Sequence, residues 1–246
     1  MSQTGQPRAM LLGQVPLPAS TWFPWHRHEM HQLVWAASGV IAVKVGDAGW
    51  VLPPTRALWM PAGVRHRTGA LGRAALRGIY AHPDRSPISW PEPRLVAVRP
   101  LLHELLEYLT GDGVAPDARL RAEAVAFDLL EPFDVVPIVV PSPADPRARD
   151  VEAAVLANPA DPRGLAEFGR DVGAAERTLA RIFVRECRMP FGTWRTQVRL
   201  RAALPLLAQE LPLETVAHRV GYSSASAFVA AFRRAVGVTP RAYFAG

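Results

Sequence analysis

Cysteine is nearly missing from this 246-residue chain. Cys187 stands alone, so no internal disulfide can form, and such usage suits a reducing compartment. Long hydrophobic runs are missing too: the most apolar stretch, QLVWAASGVIAV, stops well short of the roughly 20 residues that a helix needs to span a bilayer. The opening MSQTGQPRAMLLGQVPLPAS lacks the basic-then-apolar order of a secretory signal. These absences predict a soluble, cytoplasmic protein with no membrane partner. Lysine is scarce as well, and arginine carries almost all of the positive charge.

That positive charge is unevenly placed. Residues 1–145 hold 13 Arg or Lys against 13 Asp or Glu, whereas residues 146–246 hold 15 Arg against 9 Asp or Glu. The whole net charge of +6 therefore lies in the last two-fifths of the chain. A neutral half joined to a basic half suggests that the basic one meets nucleic acid, with a solvated basic face as the plainer alternative.

Pattern divides the chain again. Over residues 20–83, short apolar stretches (QLVWAA, VIAVKV, GWVLP, ALWMPA, ALRGIYAH) alternate with Ser-Gly, Gly-Asp, Pro-Pro and Pro-Ala-Gly punctuation. Such close spacing predicts a sandwich or barrel rather than βαβ units. From about Arg94 apolar residues recur at helical spacing, and Leu101, Leu102, Leu105, Leu106 and Leu109 are placed either to cover one side of the barrel or to form a dimer seam. PSPADPR (141–147) then breaks the pattern, and the rest is helical. The expected organisation is a β domain over 1–90, connecting helices and linker over 91–145, and a helical domain over 146–246.

The helical domain contains itself twice. Leu165, Phe168, Gly169, Val172 and Gly173 correspond to Leu213, Val216, Ala217, Val220 and Gly221; after one inserted residue, Leu179, Phe183 and Trp194 correspond to Phe228, Phe232 and Tyr243. Each unit reads helix, glycine-bearing turn, helix, with the second helix opening on small or polar residues. That is a helix-turn-helix pattern, whose second helix enters the major groove N-terminus first.

GYSSASAFVAAFRRAVGVTPRAYF closely follows GYSS.S.F...FRR..G.TP..Y, and ERTLARIF follows R.L.R.F. The segment from about 150 to 246 thereby resembles the tandem helix-turn-helix domain of the AraC/XylS family of transcription regulators. The resemblance implies DNA contacts from Glu176, Arg177, Thr178 and Arg181 in the first unit, and from Ser223, Ser224, Ala225, Ser226, Arg233 and Arg234 in the second. Arginine can bind guanine O6 and N7, and glutamate can accept from cytosine N4. Short side chains suit thymine methyls, and late arginines suit phosphate. Specificity should lean on the first unit. Arg188 departs from the family by replacing a helix-ending glycine, so a left-handed, strained residue is expected there. Pro205 should remove one hydrogen bond from the helix linking the units and bend it.

At the other end, HRHEMHQLVWAASG resembles the first cupin motif, with His26, His28, Gln32 and Gly39 at its spacing. PAGVRH resembles the second, with Pro61, Gly63 and His66. The resemblance implies a double-sheet β-barrel that can hold a divalent transition metal at His26, His28, Gln32 and His66. Gln32 stands where a glutamate is usual, which weakens the donor set; Ser20, Thr55 and Ala70 also depart from the motif. Glu29 and His31 are out of phase with the other ligands. Trp25, Trp35 and Trp59 are expected to rim a small-molecule pocket.

The expected fold class is therefore α+β: a cupin-type barrel, connecting helices, and an all-α tandem helix-turn-helix domain. The expected function is ligand-responsive transcription control, by activation or repression, with no catalytic residues. Expected partners are double-stranded operator DNA, a small-molecule or metal effector, a second copy of the chain and RNA polymerase. Within the family the layout is similar to the subgroup that controls neighbouring efflux-transporter genes. A cupin-type metalloenzyme with a basic helical tail is the rival reading.

Overall fold

Turn residues cut the first third of the chain into short strands. Gly39 shows why particular residues stand at the corners: its φ is +68°, and a Cβ there would lie 2.2 Å from the Arg73 carbonyl oxygen, so only glycine fits without movement. The computed structural model describes residues 9–111 and 113–245, which divide into two compact units. One unit runs to Gly46 and over Val51–Val135, with the last residues from Phe244; the other comprises Asp47–Trp50 and Val136–Tyr243.

The first unit carries β1 (Ala9–Leu17), β2 (His31–Ser38), β3 (Ile41–Val45), β4 (Ala48–Leu52) except for residues 48–50, which fall in the second unit, β5 (Arg56–Met60), β6 (Arg67–Ala70), β7 (Ala74–Ala81) and β8 (Arg94–Ala97). One antiparallel sheet orders β1-β7-β2-β5-β8, and a second orders β6-β3-β4. Register places Gln32 opposite both Met60 and Tyr80, and Leu33 opposite both Trp59 and Ile79. Side chains alternate across a strand, so these two sets lie on opposite faces.

The Leu33 face is covered by α1 (Pro100–Thr110) and α2 (Pro116–Asp128). Leu33, Trp35, Ala57, Trp59 and Ile79 form one buried cluster with Leu102, Leu106, Leu109, Ala126 and Phe127. Leu102, Leu106 and Leu109 thus cover the sheet, with Leu105 packed against them, while Leu101 is 60% exposed. Arg77 of β7 pairs with Glu107 and donates to the Thr110 hydroxyl at 2.6 Å, pinning the end of α1. Full burial of a leucine contributes roughly 1.5–3 kcal/mol, so this apolar layer outweighs the single, partly exposed ion pair.

The second unit begins with β9 (Ile138–Val139), paired antiparallel with Ala48 and Gly49. Its helices are α3 (Pro146–Ala157), α4 (Leu165–Asp171), α5 (Glu176–Cys187), α6 (Phe191–Ala208), α7 (Leu213–Arg219) and α8 (Ala225–Val236); α9 (Pro240–Phe244) closes the chain. Sequence explains the boundaries. The Asp145 carboxylate accepts from the Arg147 amide, Glu167 accepts from the Gly164 amide, and Ser224 Oγ accepts from the Ala227 amide. Gly173 and Gly221, at φ +65° and +86°, make the turns after α4 and α7. Leu179, Phe183, Trp194, Phe228 and Phe232 are fully buried, as the internal repeat requires. Helix α6 runs unbroken through Pro205 to Ala208. No helix among the described residues is long and apolar enough to cross a membrane.

Candidate functional site

The segment before β2 and the turn before β6 bring three imidazoles together. His26 and His66 exchange backbone hydrogen bonds, each 2.9 Å, and the Gly63 amide donates to the His28 carbonyl at 2.8 Å. Gly63 can hold this turn because its φ is +78°. Ring centroids lie 4.4 Å apart for His26–His66, 5.1 Å for His28–His66 and 6.1 Å for His26–His28. One ring nitrogen from each lies within 4.8 Å of the others.

The tautomers follow from the carbonyls around the rings. His26 Nδ1 is 2.9 Å from Pro24 O, His28 Nδ1 2.6 Å from Met30 O, and His66 Nδ1 2.9 Å from Val64 O. A carbonyl only accepts, so each Nδ1 carries a hydrogen, and in the neutral ring Nε2 is then the atom left with a lone pair. Gln32 is oriented by its Nε2, which donates to the Tyr80 hydroxyl at 3.0 Å, leaving its Oε1 facing His28 Nε2 at 3.3 Å. In the neutral ring those two facing atoms are both acceptors. His66 is fully buried, and among the described residues its Nε2 has no hydrogen-bond partner. Burial, reinforced by the neighbouring His26 and His28, pushes the His66 pKa down to about 4 despite the opposing backbone hydrogen bond. The ring is therefore neutral at pH 7. Three imidazole nitrogens within 4.8 Å of one another, with the Gln32 amide oxygen 3.3 Å from that of His28, form a donor set that fits a divalent transition metal such as zinc.

Other expected members of this site lie elsewhere. Trp35 and Trp59 are buried on the face covered by α1 and α2, away from the histidine cluster, and Trp59 there lines an apolar pocket with Leu33, Ile79, Leu106, Leu109 and Phe127. The reason is strand alternation: Trp59 pairs with Leu33, one residue out of phase with the Gln32–Met60 pair. Trp25 is half-buried beneath Arg65 and Arg67, with guanidinium-to-ring distances of 5.6 and 5.1 Å. Glu29 is exposed, and His31 turns to Trp59, 5.2 Å between rings, while its Nδ1 accepts from the Ala62 amide at 3.0 Å. Both are outside the cluster, as their phase requires.

In the second unit, Arg177, Ala180, Arg181, Val184 and Arg185 line one groove along α5. Glu176 is exposed at the start of that helix, and Thr178 lies half-buried on its flank. A second groove along α8 is lined by Leu213, Ala225, Ser226, Val229, Ala230, Arg233, Arg234, Gly237 and Thr239. Ser223 is exposed just before α8, whereas the Ser224 hydroxyl is occupied in capping it. Ala180, Val184, Val229 and Ala230 were not among the expected contact residues. Their i+3, i+4 and i+7 spacing from Arg177 and Ser226 is the signal that could have found them as neighbours on the same helix faces.

Comparison with known proteins joins the two halves. The AraC-like ligand binding domain profile matches residues 18–130, and a helix-turn-helix domain profile matches residues 168–246. The HTH-type transcriptional regulator NimR of Escherichia coli (strain K12) is 31% identical over 227 residues, which cover 90% of this chain and 82% of NimR. The chain belongs to the AraC family of transcriptional regulators. RipA of Corynebacterium glutamicum, also an HTH-type transcriptional regulator, is 37% identical over 125 residues, half of this chain and 38% of RipA. Among solved structures, an apo ToxT variant of Vibrio cholerae covers 98% of each chain at 10% identity and a TM-score of 0.41.

As an AraC-family regulator the chain has a ligand-binding unit at one end and a DNA-binding unit at the other. The ligand-binding profile extends to residue 130, taking in α1 and α2 as well as the strands. Those helices belong to the first unit by packing too.

Proposed function

We propose that this AraC-family regulator reads operator DNA with both helix-turn-helix units, under the control of a divalent transition metal or a small molecule at the imidazole cluster. His26, His28, His66 and Gln32 would hold the metal. When bound, the ion would supply a positive centre able to take a further ligand donor. The grouping of three imidazole nitrogens beside the Gln32 amide oxygen, with the Nε2 of buried His66 unpartnered among the described residues, is the observation that carries this reading. An effector controls DNA binding only if it prefers one state of the protein, and such coupling is typically about 5–150-fold in affinity.

On the DNA side, Arg177 and Arg181 bind guanine edges or phosphate, Glu176 accepts from cytosine N4, and Thr178 contacts the flank. Ala225, Ser226 and Ser223 approach thymine methyls, Ser224 fixes the tip of α8, and Arg233 and Arg234 hold phosphate. We extend the proposal to a homodimer acting in the cytoplasm on a neighbouring transporter gene, through RNA polymerase. A deletion strain whose neighbouring transporter transcript is unchanged would remove that extension.

The direct test strips the full chain of metal and titrates zinc calorimetrically, alone and in the presence of upstream DNA. About one equivalent should bind per chain, His66→Ala should abolish it, and the affinity for DNA should shift by about fivefold or more only in the unaltered protein. Absence of stoichiometric binding, with DNA affinity indifferent to zinc, would overturn the metal reading.

A further inference from the structure

The two helix-turn-helix units are joined in sequence by α6, and that joint is weak near its end. Pro205 lies three residues before the last residue of α6, has no N–H to donate to the Arg201 carbonyl, and crowds it. Beyond it, Glu210 takes φ +57° before α7 begins. A weakened helical turn and a left-handed residue therefore separate α5 from α8 along the backbone.

Arg199 crosses that gap through side-chain contacts. Its Nε donates to the Pro159 carbonyl at 3.0 Å, its Nη2 reaches the Asp161 carbonyl at 3.4 Å, and its guanidinium lies 5.6 Å from the Tyr222 ring centre. Gly221 leaves no slack: a Cβ there would come within 2.8 Å of Arg199 Nη2 and 2.9 Å of Ala160 Cα. The turn of the second helix-turn-helix unit thus rests on the loop that leads into the first.

That loop is itself tied to the first unit. The Asp161 carboxylate takes the Arg163 amide and guanidinium, and Arg163 Nη1 donates to Asp171 at the end of α4, 2.6 Å away. The same guanidinium lies 4.5 Å from the Phe168 ring centre, and Arg195 Nη1 donates to the Arg163 carbonyl at 2.7 Å. On the far side the Tyr222 ring packs edge-on against Phe228 of α8, 5.6 Å between centres. An unbroken set of contacts therefore runs from Phe168 and Asp171, through Arg163, Asp161 and Arg199, to Tyr222 and Phe228.

We propose that Arg199 is a positioning residue that sets the register between the two recognition helices, bridging the stretch where Pro205 weakens α6. The proposal rests on both helices touching DNA. Rigid tethering makes the second contact intramolecular, and its benefit depends on the tether matching the span. Loosening the tether lowers the combined affinity and blunts the dependence on spacing, without touching either half-contact.

The test uses the full chain and duplexes selected by it from a random library. The best duplex is compared with versions in which one half is scrambled or five base pairs are inserted between the halves. Arg199→Ala should lose about tenfold or more on the intact duplex, change less than about twofold on single halves, and suffer a smaller penalty from the insertion than the unaltered chain. Arg199→Lys, which keeps the charge but not the fork, should show the same pattern more weakly, and guards against misfolding of the alanine variant. Adding Pro205→Ala to Arg199→Ala should restore part of the intact-duplex affinity by stiffening α6. Equal weakening on all duplexes by both single variants, or no loss on the intact one, would overturn the proposal. Selected duplexes with only one contacted half would instead remove the premise that both helices bind.

Discussion

Arg188 ends α5 at φ +59° and ψ +19°, in the left-handed region that the family's usual glycine would occupy without strain. The equivalent position in the second unit, Gly237, sits at φ +93°. Arg188→Gly should therefore stabilise the helical unit by about 1 kcal/mol, read from urea unfolding. A loss of stability would mean that the arginine makes a contact worth more than its strain. Its neighbour Cys187 is fully buried, and burial pushes the thiol up to about 11. At pH 8 the native protein should resist a thiol-directed disulfide reagent and react at once when unfolded; rapid native labelling would contradict this packing. Because the folded pKa is raised from 9.0, the neutral thiol's contribution to stability is full below pH 9 and is lost as pH rises through about 11. Such single-residue features were legible when the local chain dictated them, as at Arg188, Gly63 and the three histidines. Trp35 and Trp59 were not, because their face depends on which strands pair with β2.

At the scale of elements, the two recognition helices differ in chemistry. The α5 groove is lined by Arg177, Arg181 and Arg185, whereas the α8 groove begins with Ala225, Ser226, Val229 and Ala230. Arginine forks discriminate bases at about 1–3 kcal/mol per bidentate pair, and small apolar side chains discriminate less. Arg177→Ala should relax sequence preference at one position of a selected site, measured by competition among base-substituted duplexes. Uniform weakening on every sequence would assign Arg177 to phosphate instead. The repeat made both helices legible, but the contact face only in part, since the side of each helix facing the groove depends on packing against its partner. For α1 the sequence left two uses open, and packing chose the sheet for Leu102, Leu106 and Leu109. Leu106→Ala should cost about 2–5 kcal/mol in unfolding free energy. A cost below about 1 kcal/mol would show that α1 does not seal that sheet.

The whole molecule combines a neutral half that gathers imidazoles with a basic half that repeats one DNA-reading motif. The division of labour was visible in the sequence because charge and periodicity both change along it. The role of Arg199 was not: its partners lie 38 and 40 residues upstream and 23 downstream, and no local pattern announces them. The claim on which everything else depends is that α5 and α8 bind DNA as a pair. Hydroxyl-radical footprinting of the full chain on its own upstream DNA tests it most directly. Two protected patches on one face of the duplex, about one helical turn (roughly 34 Å) apart and both weakened by added salt, are predicted. A single patch, or two that respond independently to disruption of either helix, would contradict it.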